Sequence, residues 1–256
     1  MTLAIETQQL TRFFGDFCAV DGINLRVEQG TFYGFLGPNG AGKSTTIKML
    51  TGLLAPSQGK IFVLGKNMRD AHESLAAKSR MGVVPEELAL FDNLTAREYL
   101  TFIGRMHLLP RDTIRNRMAD LLPLLGLEGE EKKLAMEYSH GMKKKLALAA
   151  ALLPNPDLLF LDEPFEGVDA ITSRVIRDLL RGYVDRGSTV FLTSHVLEIV
   201  ERLCSHVGTI VKGVLTEQAS LEEIRRGSSL EDRFLQIAGA DSEATRKLNW
   251  LEEGAS

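Results

Sequence analysis

Between the apolar run of residues 32–36 and a helix-like segment ending near Leu54 lies Gly37-Pro38-Asn39-Gly40-Ala41-Gly42-Lys43-Ser44-Thr45. The spacing from Gly37 through Gly42 to Lys43 and Ser44 fits a phosphate cradle. In that pattern backbone N–H groups wrap a triphosphate, the lysine neutralises it and the hydroxyl ligates Mg²⁺. The glycines allow positive φ and close backbone approach. A helix starting near Gly42 adds unpaired N–H groups and the positive end of its dipole. An ordinary strand–turn–helix would account for the glycines alone, whereas Lys-Ser at this position makes nucleotide binding the expected function.

The 256 residues suit one large domain or two modest ones, and 44% hydrophobic with 25% charged residues is ordinary for a soluble globular chain. A net charge of −4 gives no electrostatic reason to expect nucleic acid as a partner. The longest purely apolar run, residues 146–153, stops at Pro154, far short of the roughly 20 residues that cross a bilayer. The N-terminus lacks the features of a secretory signal, so a cytosolic chain is expected. Cys18 and Cys204 read as buried free thiols without a function.

Residues 3–10, 23–27, 31–36 and 60–64 read as short strands separated by turn residues, which implies hairpins beside the nucleotide. Phe13 and Phe14 precede the turn glycine Gly15, and from this context alone both read as core. Residues 81–84 form an apolar run halted by Pro85. The adjacent carboxylates Glu86 and Glu87 suit either a Mg²⁺ contact or a favourable helix start. From residue 94 to about 153 the pattern is helical. Thr95 and Glu98 form a capping-box signature, with Leu94 and Tyr99 placed as a hydrophobic staple, so a helix should begin at Ala96 and end before Pro110. A second helix should begin near Asp112, with a kink or restart at Pro123.

Ser139 is placed as the N-cap of a helix running to residue 153, and that N-terminus doubles as a second phosphate-binding surface. Lys143, Lys144 and Lys145 face different directions and should mostly be solvated. Residues 157–164 read as a buried parallel strand ending in Asp162 and Glu163. Beside a phosphate cradle, an Asp there holds Mg²⁺ and an adjacent Glu polarises the attacking water; capping the next helix is the weaker explanation. A helix over residues 170–184 leads to a buried strand at 189–193 that ends in Ser194 and His195, at the edge where α/β sheets place their ligands. Residues 241–256 form a polar tail.

In order along the chain, this set resembles the nucleotide-binding ATPase subunit of an ATP-binding cassette (ABC) transporter, over about residues 3–239. Residues 37–45 match its Walker A loop and 158–163 its Walker B strand. Tyr138-Ser139-His140-Gly141-Met142 stands where its signature loop stands, Glu166-Gly167-Val168-Asp169 resembles its D-loop, and His195 its switch histidine. The resemblance implies an α/β fold: a P-loop NTPase (RecA-like) core with an N-terminal antiparallel β-subdomain and an α-helical subdomain inserted at about 86–154. It also implies that Phe14 is an adenine platform, that Lys43 joins Glu163 and His195 in catalysis, and that Ser44, Asp162 and Glu86 serve the Mg²⁺ of a bound ATP. Two copies would pair head to tail, so that Ser139, Gly141 and Asp169 of one meet the ATP of the other.

Glu86 stands where the family has glutamine, and the signature departs from Leu-Ser-Gly-Gly-Gln while keeping Ser139 and Gly141. Such wording resembles the export-type (ABC-2) subfamily, which works with a separate polytopic membrane permease. The resemblance places that permease's contact near residues 87–94 and the chain on the inner face of a membrane. Its rivals are a soluble ABC ATPase acting on the ribosome or in DNA repair, which usually carries two cassettes or a coiled-coil insertion, and a module that binds nucleotide without hydrolysing it. A GTPase would need an Asn-Lys-x-Asp segment after a strand, and none is found.

Overall fold

The computed structural model describes residues 2–227 and 229–238, so the polar tail at 241–256 lies outside the described residues. β1 (Leu3–Phe14) turns at Gly15 into β2 (Phe17–Ile23) and also pairs with β3 (Arg26–Glu28), all antiparallel. β4 (Phe32–Leu36) leaves that sheet, is buried at every position and leads through the glycine loop into α1 (Lys43–Leu50). β5 (Gln58–Val63) and β6 (Lys66–Asn67) return to the first sheet, whose order is β2-β1-β5-β6 with β3 off β1. α2 (Ala71–Lys78) and β7 (Met81–Val84) follow.

Three α-helices lie between β7 and the next strand, α3 (Ala96–Met106), α4 (Arg111–Leu124) and α5 (His140–Leu152), with a short 3-10 helix, Ala135–Glu137, before the last. The capping box forms as its spacing requires. Thr95 Oγ1 accepts the Glu98 N–H at 3.2 Å while the Glu98 carboxylate accepts the Thr95 N–H at 2.9 Å. β8 (Leu158–Asp162), α6 (Ala170–Asp185), β9 (Thr189–Ser194), α7 (Leu197–Leu203), β10 (His206–Val211), β11 (Val214–Ser220), α8 (Leu221–Gly227) and α9 (Leu230–Ala238) complete the described chain.

The second sheet runs β11-β10-β4-β9-β8-β7; β10, β4, β9, β8 and β7 are mutually parallel, and β11 closes the edge as an antiparallel hairpin. β4, β9 and β8 are neighbours, so their C-terminal ends converge where open α/β sheets bind ligands. On one face Phe35, Phe160, Phe191 and Tyr33 pack with the antiparallel sheet, Tyr33 stacked on Phe191 with ring centroids 5.5 Å apart. On the other, Leu159, Leu161 and Leu192 pack with the helices. This is a P-loop NTPase fold with an antiparallel β-subdomain.

Four expectations are corrected. Of the kink or restart expected at Pro123, the restart does not occur: α4 continues through Pro123 in its last turn and stops one residue later. Phe13 and Phe14 are 40% and 47% exposed, because both lie at the tip of the β1–β2 hairpin beyond the packed part of the sheet. Cys204 is buried as expected, but Cys18, next to the same tip, is only half-buried. Glu86 and Glu87 begin no helix, since the chain is irregular from residue 85 until Thr95 caps α3.

Candidate active site

The glycine loop is shaped by its neighbours in the sheets. Gly42 caps α1 at φ 107°, and a Cβ there would come 2.6 Å from the Ala19 carbonyl oxygen; a Cβ at Gly37 would come 2.4 Å from that of Ile210. Only glycine meets both demands at Gly42. Within the turn, Ala41 N–H donates to the Pro38 carbonyl at 3.1 Å. Lys43 is buried, and its ammonium donates to the carbonyls of Gly37 at 2.8 Å and Pro38 at 3.2 Å. Ser44 Oγ donates to Glu86 Oε2 at 3.0 Å, which brings the atypical Glu86 to the loop.

Facing the loop, β8 ends in the buried pair Asp162 and Glu163, with Glu163 in the left-handed region at φ 48°. Burial raises the pKa of both carboxyls. Hydrogen bonds from Thr193 and Ser44 oppose the rise at Asp162, and the His195 contact opposes it at Glu163. The His195 Nδ1 lies 3.0 Å from Glu163 Oε1. Thr193 is fully buried on β9; its hydroxyl donates to Asp162 Oδ1 and accepts the Glu163 N–H at 3.1 Å. One side chain thus holds both carboxylate residues. Sequence reasoning passed over it because a threonine next to the end of a strand looks like any β-former.

The glycine loop and the Glu163–His195 pair border a recess of about 440 Å³. It is lined by Asn39, Gly40, Gly42, Lys43, Ser44 and Thr45 of the loop, by Glu86, Glu163, Glu166 and His195, and by Phe14. Phe17, unremarked in the sequence, also lines the recess and is the cross-strand partner of Phe14. The Arg12 guanidinium lies 4.7 Å from the Phe14 ring centroid.

Ser139, Gly141 and Asp169 do not line this recess. Ser139 is exposed and caps α5, accepting the Met142 N–H at 3.3 Å. Asp169 caps α6 by accepting the Thr172 N–H at 2.8 Å, and the Thr172 donors hold its carboxyl down to about 2. The lysines behind Ser139 overturn the expectation of a solvated run. Lys143 and Lys145 reach Asp92 and Asp169 at 3.3 and 3.5 Å, and Lys144 is buried, because the loop after β8 covers this side of α5.

A phosphate loop after β4, with carboxylates at the end of β8, one strand removed across β9, marks the class as a P-loop nucleoside triphosphatase. Comparison with known proteins narrows the class. A family model described as "ABC transporter" matches residues 20–166, and one described as "AAA domain, putative AbiEii toxin, Type IV TA system" matches 134–201. The chain is 39% identical over 227 residues to the bacitracin transport ATP-binding protein BcrA of Bacillus licheniformis, covering 88% of this chain and 72% of that one. It is 36% identical over 250 residues to the daunorubicin/doxorubicin resistance ATP-binding protein DrrA of Streptomyces peucetius, covering 97% and 75%.

Among solved structures, an ATP binding subunit of an ABC transporter superposes with a TM-score of 0.86 at 28% identity, covering 91% of this chain and 99% of that one. A dimeric bacterial ABC transporter cassette superposes at 0.79 with 24% identity, covering 85% and 98%, a likeness of fold. The chain belongs to the ABC transporter family, as an ATP-binding ATPase cassette.

Proposed function

We propose that this chain hydrolyses ATP to drive export through a separate membrane permease, working as a closed pair of copies. The observation that carries the reading is the Glu163–His195 contact facing Lys43 and Ser44 across one recess. ATP lies with its base against Phe14 and its phosphates in the loop formed by Gly37, Pro38, Asn39, Gly40, Ala41 and Gly42, with Thr45 behind. Lys43 neutralises the phosphates. Glu163, desolvated and aimed by Thr193 and His195, orients the attacking water and takes up its proton, and His195 holds the γ-phosphate in line.

The donors present suit Mg²⁺, which prefers hard oxygen ligands and takes one or two carboxylates beside substrate phosphates. Ser44, Asp162 and Glu86 would hold it, the Ser44–Glu86 bond already joining two of the three. When bound, the ion neutralises charge on the phosphate oxygens.

The N-terminus of α5, with Ser139 and Gly141, meets the γ-phosphate of the second copy's ATP, and Asp169 stands beside it. This accounts for a phosphate-binding helix end that lies outside the chain's own recess. A groove of about 370 Å³ lined by Met81, Val83, Leu88, Leu90, Tyr99 and Ile103 is mostly apolar, and exposed Phe91 and Phe102 stack edge-on beside it. It suits a helix of the permease and supports a peripheral position on the inner membrane face. Among the described residues no helix is long and apolar enough to cross a membrane. The transport and resistance roles in the names of BcrA and DrrA favour an exporter over a ribosome-acting ATPase.

The test is Glu163→Gln assayed with the permease. ATP affinity should stay within about twofold while turnover falls at least about 100-fold, the scale of losing a positioned general base. Normal hydrolysis by this variant overturns the assignment.

A further inference from the structure

The roles above leave one buried charge without a task. Lys144 lies in the second turn of α5 with its side chain 2% exposed. A buried ammonium needs partners, and this one donates to the Glu166 backbone carbonyl at 2.9 Å, with the Glu166 carboxylate 3.9 Å away. Burial pulls its pKa down, against the pull of Glu166 and then Glu163.

The contact belongs to a seam. Lys145 Nζ lies 3.5 Å from Asp169 Oδ2. Between the two ties the backbones touch: a Cβ at Gly141 would come 3.0 Å from the Gly167 carbonyl oxygen, and one at Gly167, where φ is +70°, would come 3.1 Å from the His140 ring. The first turns of α5 and residues 166–169 are therefore fastened at two points and pressed together between them. Glu163, at the root of that loop, faces this chain's own recess.

We propose that Lys144 is a positioning residue that makes the start of α5 and the loop behind Glu163 one body, so that engagement of the second copy's phosphate resets the catalytic loop of this chain. The inference rests on the two-copy reading given above. A methionine of similar length can fill the buried site, and the Glu166 carboxylate it leaves behind is 59% exposed, so no buried charge is stranded. A purely structural lysine would therefore leave the signal below unchanged.

The experiment is amide hydrogen exchange on the full chain carrying Glu163→Gln, with and without ATP and Mg²⁺. In this background ATP is expected to slow exchange about tenfold or more both at residues 140–143 and at 167–169, a segment outside the chain's own recess that meets the second copy's ATP only while fastened to α5. With Lys144→Met added, protection at 140–143 should persist and that at 167–169 should be lost; Lys144→Arg, which keeps a donor, should restore it. Joint protection in the methionine variant overturns the proposal. Failure of ATP to protect residues 140–143 in the Glu163→Gln chain overturns the two-copy reading, and the inference falls with it. Should the methionine variant not fold, Lys145→Ala cuts the neighbouring tie, and about a threefold loss at 167–169 is expected; unchanged protection there overturns the proposal.

Discussion

The loop before α1 and the first turn of α5 are both helix N-termini suited to phosphate, yet they are anchored in different ways. The loop is enclosed by its own chain: Lys43 is held by carbonyls a few residues back, and Gly37 and Gly42 press against β10 and β2. The start of α5 is open. Ser139 is exposed, and support comes from behind, through Lys144 and Lys145 to a loop that arrives later in the chain. A closed terminus with its counter-charge in place can bind nucleotide alone, whereas an open one acts only when something is brought to it. Binding should therefore belong to the loop, and turnover to the meeting of the two.

Substituting one residue in each terminus tests that division most strongly. Lys43→Ala removes a charge-assisted contact, a loss of about 1.5–3 kcal/mol, or roughly 10- to 100-fold in ATP affinity of the isolated chain. Ser139→Ala should leave that affinity within about twofold, lower turnover with the permease about tenfold, and cost about 1 kcal/mol of stability through the lost cap. Titration with a fluorescent ATP analogue, beside a hydrolysis assay, separates the two. Equal loss of affinity in both variants breaks the comparison.

The next effect lies inside the closed half. Thr193→Val is nearly isosteric but strands the Glu163 N–H and one Asp162 oxygen in a buried place, which costs about 1–3 kcal/mol. Urea unfolding should show that loss, and turnover should fall by more than ATP affinity does. Thr193→Ser, keeping the hydroxyl, should recover most of both. Full activity in the valine variant would remove Thr193 from the site's support.

The same division explains what was legible in the sequence. The glycine loop, the Thr95 capping box and the carboxylate end of β8 follow rules spanning a few residues, and each is where its spacing places it. Lys144 obeys no such rule. In a triple-lysine run every local signal favours solvent, and its burial is decided by Glu166 folding over α5 from another part of the chain. Thr193 acquires its role from the neighbouring strand, through a register that pairs it with Asp162. β2 was hidden because a hairpin tip tolerates exposed aromatics such as Phe17, and α7 because its seven residues offer too few turns for a period to show.

The smallest expected effect concerns the far end of the seam behind α5. The Asp169 carboxyl is held at about 2 by the Thr172 hydroxyl and N–H, with Lys145 adding a smaller pull. A carboxyl depressed in the folded state stabilises fully above its unfolded value, and that stabilisation is lost as pH falls through the folded value. Between about pH 4 and pH 2 the chain should therefore lose a contribution that Asp169→Asn, which still caps α6 but does not titrate there, lacks. Urea midpoints measured down that range should converge for the two proteins, the native chain holding its advantage only at the upper end. A constant gap across the range would mean that the carboxylate, as opposed to the cap it shares with asparagine, contributes nothing to this side of α5.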